Sequence, residues 1–205
     1  MHAILKGLAA AAFSLWAAAA AAQTAAVLPV ATAPALATGE ARPVAAWSDW
    51  CRRVPGDCAV NTAEPALITL TPQAWRLIQS VNRTVNRKIE PMTDMEQLGV
   101  VDSWDLPTSG YGDCEDYQLL KRRLLVEAGL PRRALRMTVV VDEKGEGHAV
   151  LMARTDRGDL ILDNKIDAVL AWHQTGYVYV KREGHNGTAW VSLGGARSPV
   201  VTANR

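Results

Sequence analysis

The sequence predicts an α+β domain, with N-terminal helices packed on an antiparallel sheet. Three observations predict it. Apolar residues recur at helical spacing from Trp75 to Ile89, and Leu120, Leu124 and Ala128 share one face of a second helical stretch. From Leu135 onward the pattern changes to short runs of branched apolar residues separated by turns. Helices first and hairpin-length strands afterwards is the order of an α+β fold, and 205 residues suffice for one such domain with extensions.

Residues 1–22 open with His2 and Lys6 and continue as an alanine-rich apolar run to Ala20-Ala21-Ala22-Gln23, a small-residue cleavage site. These are the three parts of a secretory signal peptide. A permanent membrane anchor is the competing reading; it is disfavoured because the apolar core is short and no basic stop-transfer cluster follows. The mature chain is therefore expected to be soluble and exported. Residues 23–45, rich in Ala, Thr and Pro without period, read as a flexible lead-in. The ordered domain is expected over 46–195, with 196–205 a frayed tail.

Within the domain, Thr71-Pro72 supplies an N-cap and a first-turn proline for the helix carrying Trp75, Ile78, Val81, Val85 and Ile89, and Pro91 ends it. Residues 92–112 read as a long loop, a length more often functional than decorative. The next helix runs from Cys114 to Ala128 and is stopped by Gly129 and Pro131. Strands follow at 135–141, 148–155, 159–162, 177–181 and 190–193.

Without the leader the chain holds 21 basic and 21 acidic residues. That balance argues against nucleic-acid binding, and the Arg122-Arg123 and Arg132-Arg133 pairs read as solvated surface. Three cysteines are an odd number for an exported chain. Cys51 and Cys58, either side of Pro55-Gly56, read as a local disulfide, which leaves Cys114 as a reactive thiol or an intermolecular link.

Cys114 lies in Gly110-Tyr111-Gly112-Asp113-Cys114-Glu115-Asp116-Tyr117, where a glycine-punctuated loop enters a helix. Helix-start N–H groups favour an anion, and the thiolate is the nucleophilic form of cysteine. Asp113 or Gly112 can cap the helix. The neighbouring carboxylates oppose ionisation, so a cationic partner is required. Of the histidines His148, His173 and His185, His148 opens a strand after a Gly-x-Gly turn and is the expected general base. A third group should orient its ring. A symmetric hairpin centred on Arg157-Gly158 sets Asp167 opposite His148 and Asp163 opposite Met152, so spacing alone leaves Asp163 and Asp167 both open unless a bulge or uneven turn intervenes.

Several blocks occur in order across residues 47–190: Trp50-Cys51 to Cys58, Asp102-Ser103-Trp104-x-x-Pro107, Gly112 to Tyr117, Gly147-His148-Ala149-Val150-Leu151 and Leu162-Asp163-Asn164. On these the chain resembles the bacterial transglutaminase-like cysteine proteinases, the group that contains the LapG-type periplasmic adhesin proteases. The resemblance implies a papain-like, transglutaminase-like core. It assigns Cys114 as nucleophile, His148 as base and Asp163, in the Leu-Asp-Asn block, as orienting residue. It offers Trp104 as an oxyanion-holding group, with core packing as the alternative. It further implies Ca²⁺ beside the cysteine on Asp113, Glu115 and Asp116, with Lys165 an unhelpful neighbour for a cation. By the same resemblance, the substrate is the N-terminal region of a large surface adhesin that controls biofilm attachment. The partner is an inner-membrane cyclic-diguanylate receptor that sequesters the protease. Amine transfer by the same acyl-enzyme and a catalytically silent periplasmic binding module are the competing functions.

Overall fold

The computed structural model describes residues 27–186 and 188–197. The signal-peptide reading of residues 1–22 therefore lies outside the described residues. The helices are α1 (Ala45–Arg53), α2 (Pro55–Cys58), α3 (Pro72–Lys88), α4 (Asp94–Gln97) and α5 (Cys114–Glu127). The strands are β1 (Gly39–Ala41), β2 (Glu90–Pro91), β3 (Tyr111–Gly112), β4 (Leu135–Val141), β5 (Gly147–Thr155), β6 (Gly158–Leu162), β7 (Leu170–Ala171), β8 (Val178–Glu183) and β9 (Trp190–Arg197). Among the described residues the main sheet has the order β1-β9-β8-β4-β5-β6-β7, antiparallel throughout, and β2 pairs with β3 in parallel.

The two long helices form where the pattern predicts. The Thr71 hydroxyl accepts the Ala74 N–H at 3.1 Å, Pro72 sits in the first turn, and Trp75, Ile78, Val81 and Val85 are buried. The helix α5 ends in a Schellman arrangement: Leu130 N–H reaches Leu125 and Gly129 N–H reaches Val126, with Gly129 at φ +93°. The main core lies between these helices and the sheet, joining Trp47, Trp75, Ile78, Leu119 and Leu125 to Leu135, Leu151, Leu160 and Leu162. A smaller core, with Val140, Val150, Met152, Ile161, Tyr177 and Tyr179, covers the opposite face.

Four expectations require correction. The lead-in at 27–45 is a strap. Ala35 N–H donates to Asp159 at 2.9 Å, Trp172 Nε1–H donates to the Ala33 carbonyl at 2.8 Å, and β1 pairs with β9. Its order comes from hydrogen bonds to distant strands, which a local period cannot reveal. At the other end β9 runs through Arg197, past the expected boundary at 195, because residues 196 and 197 still pair with β8; residues 198–205 lie outside the described residues. Residues 92–112 are not all loop. Thr93 and Glu96 close a capping box on α4, and β3 pairs with β2.

The fourth correction concerns the arginine pairs. Arg122 and Arg132 are buried, and both donate to Glu183: Arg122 Nη1 at 3.1 and 2.9 Å, Arg132 Nη2 at 2.9 Å. Trp47 Nε1–H and Met137 N–H complete the shell at 3.1 and 2.9 Å. Arg123 is only partly buried and pairs with Asp57. A dry carboxylate saturated by donors from several elements overrides the surface preference of arginine.

Burial alone would raise Glu183, but Arg132 and Arg122 pull its carboxyl down to about 2. The folded value is depressed, so the stabilisation is complete above the unfolded value of 4.5 and is lost as pH falls toward about 2. Glu183→Gln leaves the buried guanidiniums without their counter-charge, and urea unfolding at neutral pH should show a loss of about 3–5 kcal/mol. The deficit should shrink as pH falls from about 4.5 toward 2; a deficit independent of pH would contradict this account.

Candidate active site

The first turn of α5 abuts the start of β5. Ala149 N–H points at Cys114 Sγ, 3.3 Å away, so the residue following His148 touches the thiol. His148 Nε2 lies 2.9 Å from Asp163 Oδ1, with both side chains almost wholly buried. Asp163 Oδ1 also accepts Lys165 N–H at 3.0 Å, and Tyr177 Oη–H donates to Oδ2 at 2.6 Å. Burial would push the Asp163 carboxyl up, but the His148 contact and these hydrogen bonds hold it below the usual carboxylate value. An ionised carboxylate only accepts, so the proton between the pair sits on His148 Nε2 and the lone pair of the neutral ring is on Nδ1.

A register different from the symmetric hairpin brings Asp163, and not Asp167, beside His148. The β5–β6 hairpin turns on Asp156-Arg157: Thr155 pairs with Gly158 and Leu151 with Leu162. Gly158 supports the turn at φ +101°. The next step along the ladder carries Asp163 to the level of Val150, diagonal to His148 on the same face. Asp167 is elsewhere. Its Oδ1 accepts Asn86 Nδ2–H at 3.2 Å, and Arg87 lies 3.6 Å from its Oδ2.

The electrostatics around the thiol depart from the simple helix-start picture. Asp113 occupies the N-cap position of α5 without a side-chain capping bond. Cys114 Sγ instead donates to Glu115 Oε2 at 3.0 Å, and its pKa stands well above the ordinary thiol value, first through burial and then through the Glu115 charge. Burial, with Asp113 adding repulsion, pushes Glu115 up to about 9; burial raises Asp116 to about 8; burial and Asp94 raise Asp113.

Of the acids expected to hold a metal, Asp113 and Asp116 meet in one group and Glu115 lies in another; both groups include Asp94, which the sequence reading missed, as it did Asp102. Asp94, Asp102 and Glu115 bring carboxylate oxygens within 4.8 Å of one another, as do Asp94, Asp113 and Asp116. Asp113 Oδ1 is buried with no hydrogen-bond partner. Hard oxygen donors with an orphaned acceptor among them fit a divalent cation. Lys165 does not compete, because its Nζ sits 2.5 Å from Asp142. The signal for Asp94 was its place in Thr93-Asp94-Met95-Glu96, a readable capping box, and Asp102 opened one of the quoted blocks. Trp104 packs in the main core with only 3% exposure, and its carbonyl accepts from Arg53 Nη2 at 2.7 Å.

A cleft of about 260 Å³ opens onto Cys114 between Met92, Thr93 and Glu96 on one side and Asn164 on the other. Residues 37–198 match the family model of the bacterial transglutaminase-like cysteine proteinases. The chain belongs to that family. It is a cysteine proteinase of mixed helix and antiparallel sheet, with a transglutaminase-like fold. Calcium-bound Legionella pneumophila LapG is similar at 25% identity and a TM-score of 0.51, over 63% of this chain and 73% of that one. A second Legionella pneumophila LapG structure is similar at 26% identity and a TM-score of 0.50, over 60% of this chain and 71% of the other. An EGTA-treated form has the same identity and score and covers 69% of that chain. No curated protein sequence matches.

Gly112 permits the proteinase's acidic cluster to close. A Cβ there would fall 2.8 Å from Asp116 Oδ2 and 2.9 Å from Asp116 Cβ. Gly112→Ala should therefore cost about 1–3 kcal/mol in urea unfolding by forcing Asp116 off Asp105 N–H; an unchanged midpoint would show that Asp116 moves aside freely.

Proposed function

We propose that this proteinase is an exported thiol endopeptidase in which Cys114, His148 and Asp163 act together. The observation that carries the reading is the 2.9 Å His148–Asp163 contact beside a thiol that touches the residue next to His148. In the acylation step His148 Nδ1 takes the Sγ proton as sulfur bonds to the scissile carbonyl carbon. The developing oxyanion faces the N–H of Cys114, which as the first helical residue has no intrahelical partner. The carbon–nitrogen bond breaks as the leaving amine receives that proton from His148. Water then attacks the thioester, gives a proton to His148 and releases the acid product, with the proton returned to sulfur. Asp163 stays ionised and holds the ring throughout.

Asp94, Asp102, Asp113, Glu115 and Asp116 would hold Ca²⁺. When bound, it supplies positive charge that offsets their mutual repulsion. Glu115 belongs to both systems, touching the thiol and joining the cluster. Export to the periplasm is supported by the leader sequence and by the Cys51–Cys58 disulfide, which suits an oxidising compartment. An adhesin N-terminal region as substrate, with consequences for biofilm attachment, and sequestration by an inner-membrane cyclic-diguanylate receptor rest on the likeness to the LapG group.

The test is incubation of the mature protein with adhesin fragments and sequencing of new N-termini. Cys114→Ala should lower the cleavage rate by at least about 10³-fold. Incorporation of a labelled amine without new N-termini would overturn proteolysis. Calorimetry should register Ca²⁺ binding that Asp113→Asn weakens about tenfold or more, in keeping with the ligand charge count. Absence of any Ca²⁺ heat, with cleavage indifferent to chelator, would remove the metal from the reading.

A further inference from the structure

Tyr177 stands outside the three residues of the reading above, yet it touches two of them. Its ring is buried, meets the His148 ring edge-on with centroids 5.8 Å apart, and its hydroxyl donates to Asp163 Oδ2 at 2.6 Å. Asp163 has two oxygens that could turn to the imidazole. Tyr177 occupies one of them, so the other, Oδ1, is the one presented to His148 Nε2. A carboxylate with a single fixed partner on one oxygen cannot rotate without breaking that bond.

A second restraint acts on the backbone. Lys165, two residues beyond Asp163, gives its N–H to Oδ1 at 3.0 Å and its Nζ to Asp142 Oδ2 at 2.5 Å. Asp142 stands at the end of β4, and its Oδ1 accepts the N–H groups of Lys144 and Glu146 at 2.9 and 2.8 Å, inside the turn that leads into His148. The ion pair thus joins the segment after Asp163 to the segment before His148. Asn86 Nδ2–H adds a bond to the Asp163 carbonyl at 2.9 Å. The hydroxyl of Tyr177 stays protonated at every working pH, because burial and then the Asp163 charge push its pKa far above the ordinary phenol value.

We propose that Tyr177 is a positioning residue of this proteinase: it fixes the Asp163 carboxylate so that His148 is held with the proton on Nε2 and the lone pair of Nδ1 turned toward Cys114, while the Asp142–Lys165 pair keeps the two supporting segments together. The proposal rests on the proteinase reading for its kinetic consequence. Its structural consequence, the tautomer and orientation of His148, can be read without a substrate. Tyr177 reaches the site from the residue just before β8, outside the strands that lead to His148 and Asp163.

The experiment compares wild type, Tyr177→Phe, Lys165→Met and Lys165→Arg. Tyr177→Phe keeps the ring and its packing, and thermal unfolding verifies that each variant is folded. With a cleaved adhesin fragment, Tyr177→Phe should lower kcat about 10- to 100-fold while KM changes less than about twofold, the pattern of a misplaced base. Nitrogen NMR of the His148 ring should show a single Nε2–H form in wild type and a mixture of tautomers or a lost Nε2–H signal in Tyr177→Phe. Lys165→Met should show the same changes to a smaller degree, and Lys165→Arg should restore them. A folded Tyr177→Phe protein with unchanged kcat, or one whose Nε2–H signal matches wild type, overturns the proposal. Wild-type protein that cleaves nothing, yet loses its Nε2–H form on Tyr177→Phe, overturns the proteinase reading and leaves the positioning role supported.

Discussion

The Glu183 carboxylate is the point on which the architecture depends. It lies in β8 and receives donors from α1 through Trp47, from α5 through Arg122, from the turn before β4 through Arg132, and from β4 itself through Met137. Apolar packing sets how closely helices and sheet approach, but it is not directional. Hydrogen bonds to one buried charge fix the rotation of α5 about its axis and its position along the sheet. Cys114 is the first residue of that helix, so the network at Glu183 also determines where the thiol meets β5.

The site combines two electrostatic problems that share Glu115. Carboxylates gather beside Cys114, where burial raises the proton affinities of Asp94, Asp113, Glu115 and Asp116, and the sulfur is a thiol hydrogen-bonded to Glu115. The His148–Asp163 pair is different. There burial is outweighed by donors, and the Asp163 carboxylate remains charged beside the imidazole. The His148–Asp163 pair is thus held by the protein alone, whereas the acids beside Cys114 form a donor set suited to a cation.

Much of this was legible in the sequence, for identifiable reasons. The α3 and α5 periods, the Thr71-Pro72 start and the Gly129 stop are local signals, and they place Cys114 at a helix start and His148 at a strand start. The position of Asp163 was not legible from spacing, because a turn at Asp156-Arg157 in place of Arg157-Gly158 moves the partner by two residues. Family resemblance favoured Asp163, and the register is what brings it beside His148. Buried Arg122, the strap at 27–45, Asp94 beside Asp113, and Tyr177 beneath Asp163 all depend on partners far along the chain. No window of neighbouring residues contains that information.

The strap has a bearing on how the protein is made. Residues 39–41 pair with residues 190–192, so the earliest strand of the domain waits for the latest one. A sheet edge assembled from such distant segments has high contact order, which slows its closure and keeps β9 without its outer neighbour until then. The contacts of Ala35 and Thr32 with β6 and its preceding turn lay the strap across the sheet independently of β9. Docking there first would shorten the search that β1 has to make, so that a segment with no pattern of its own serves as a guide for the last step of folding.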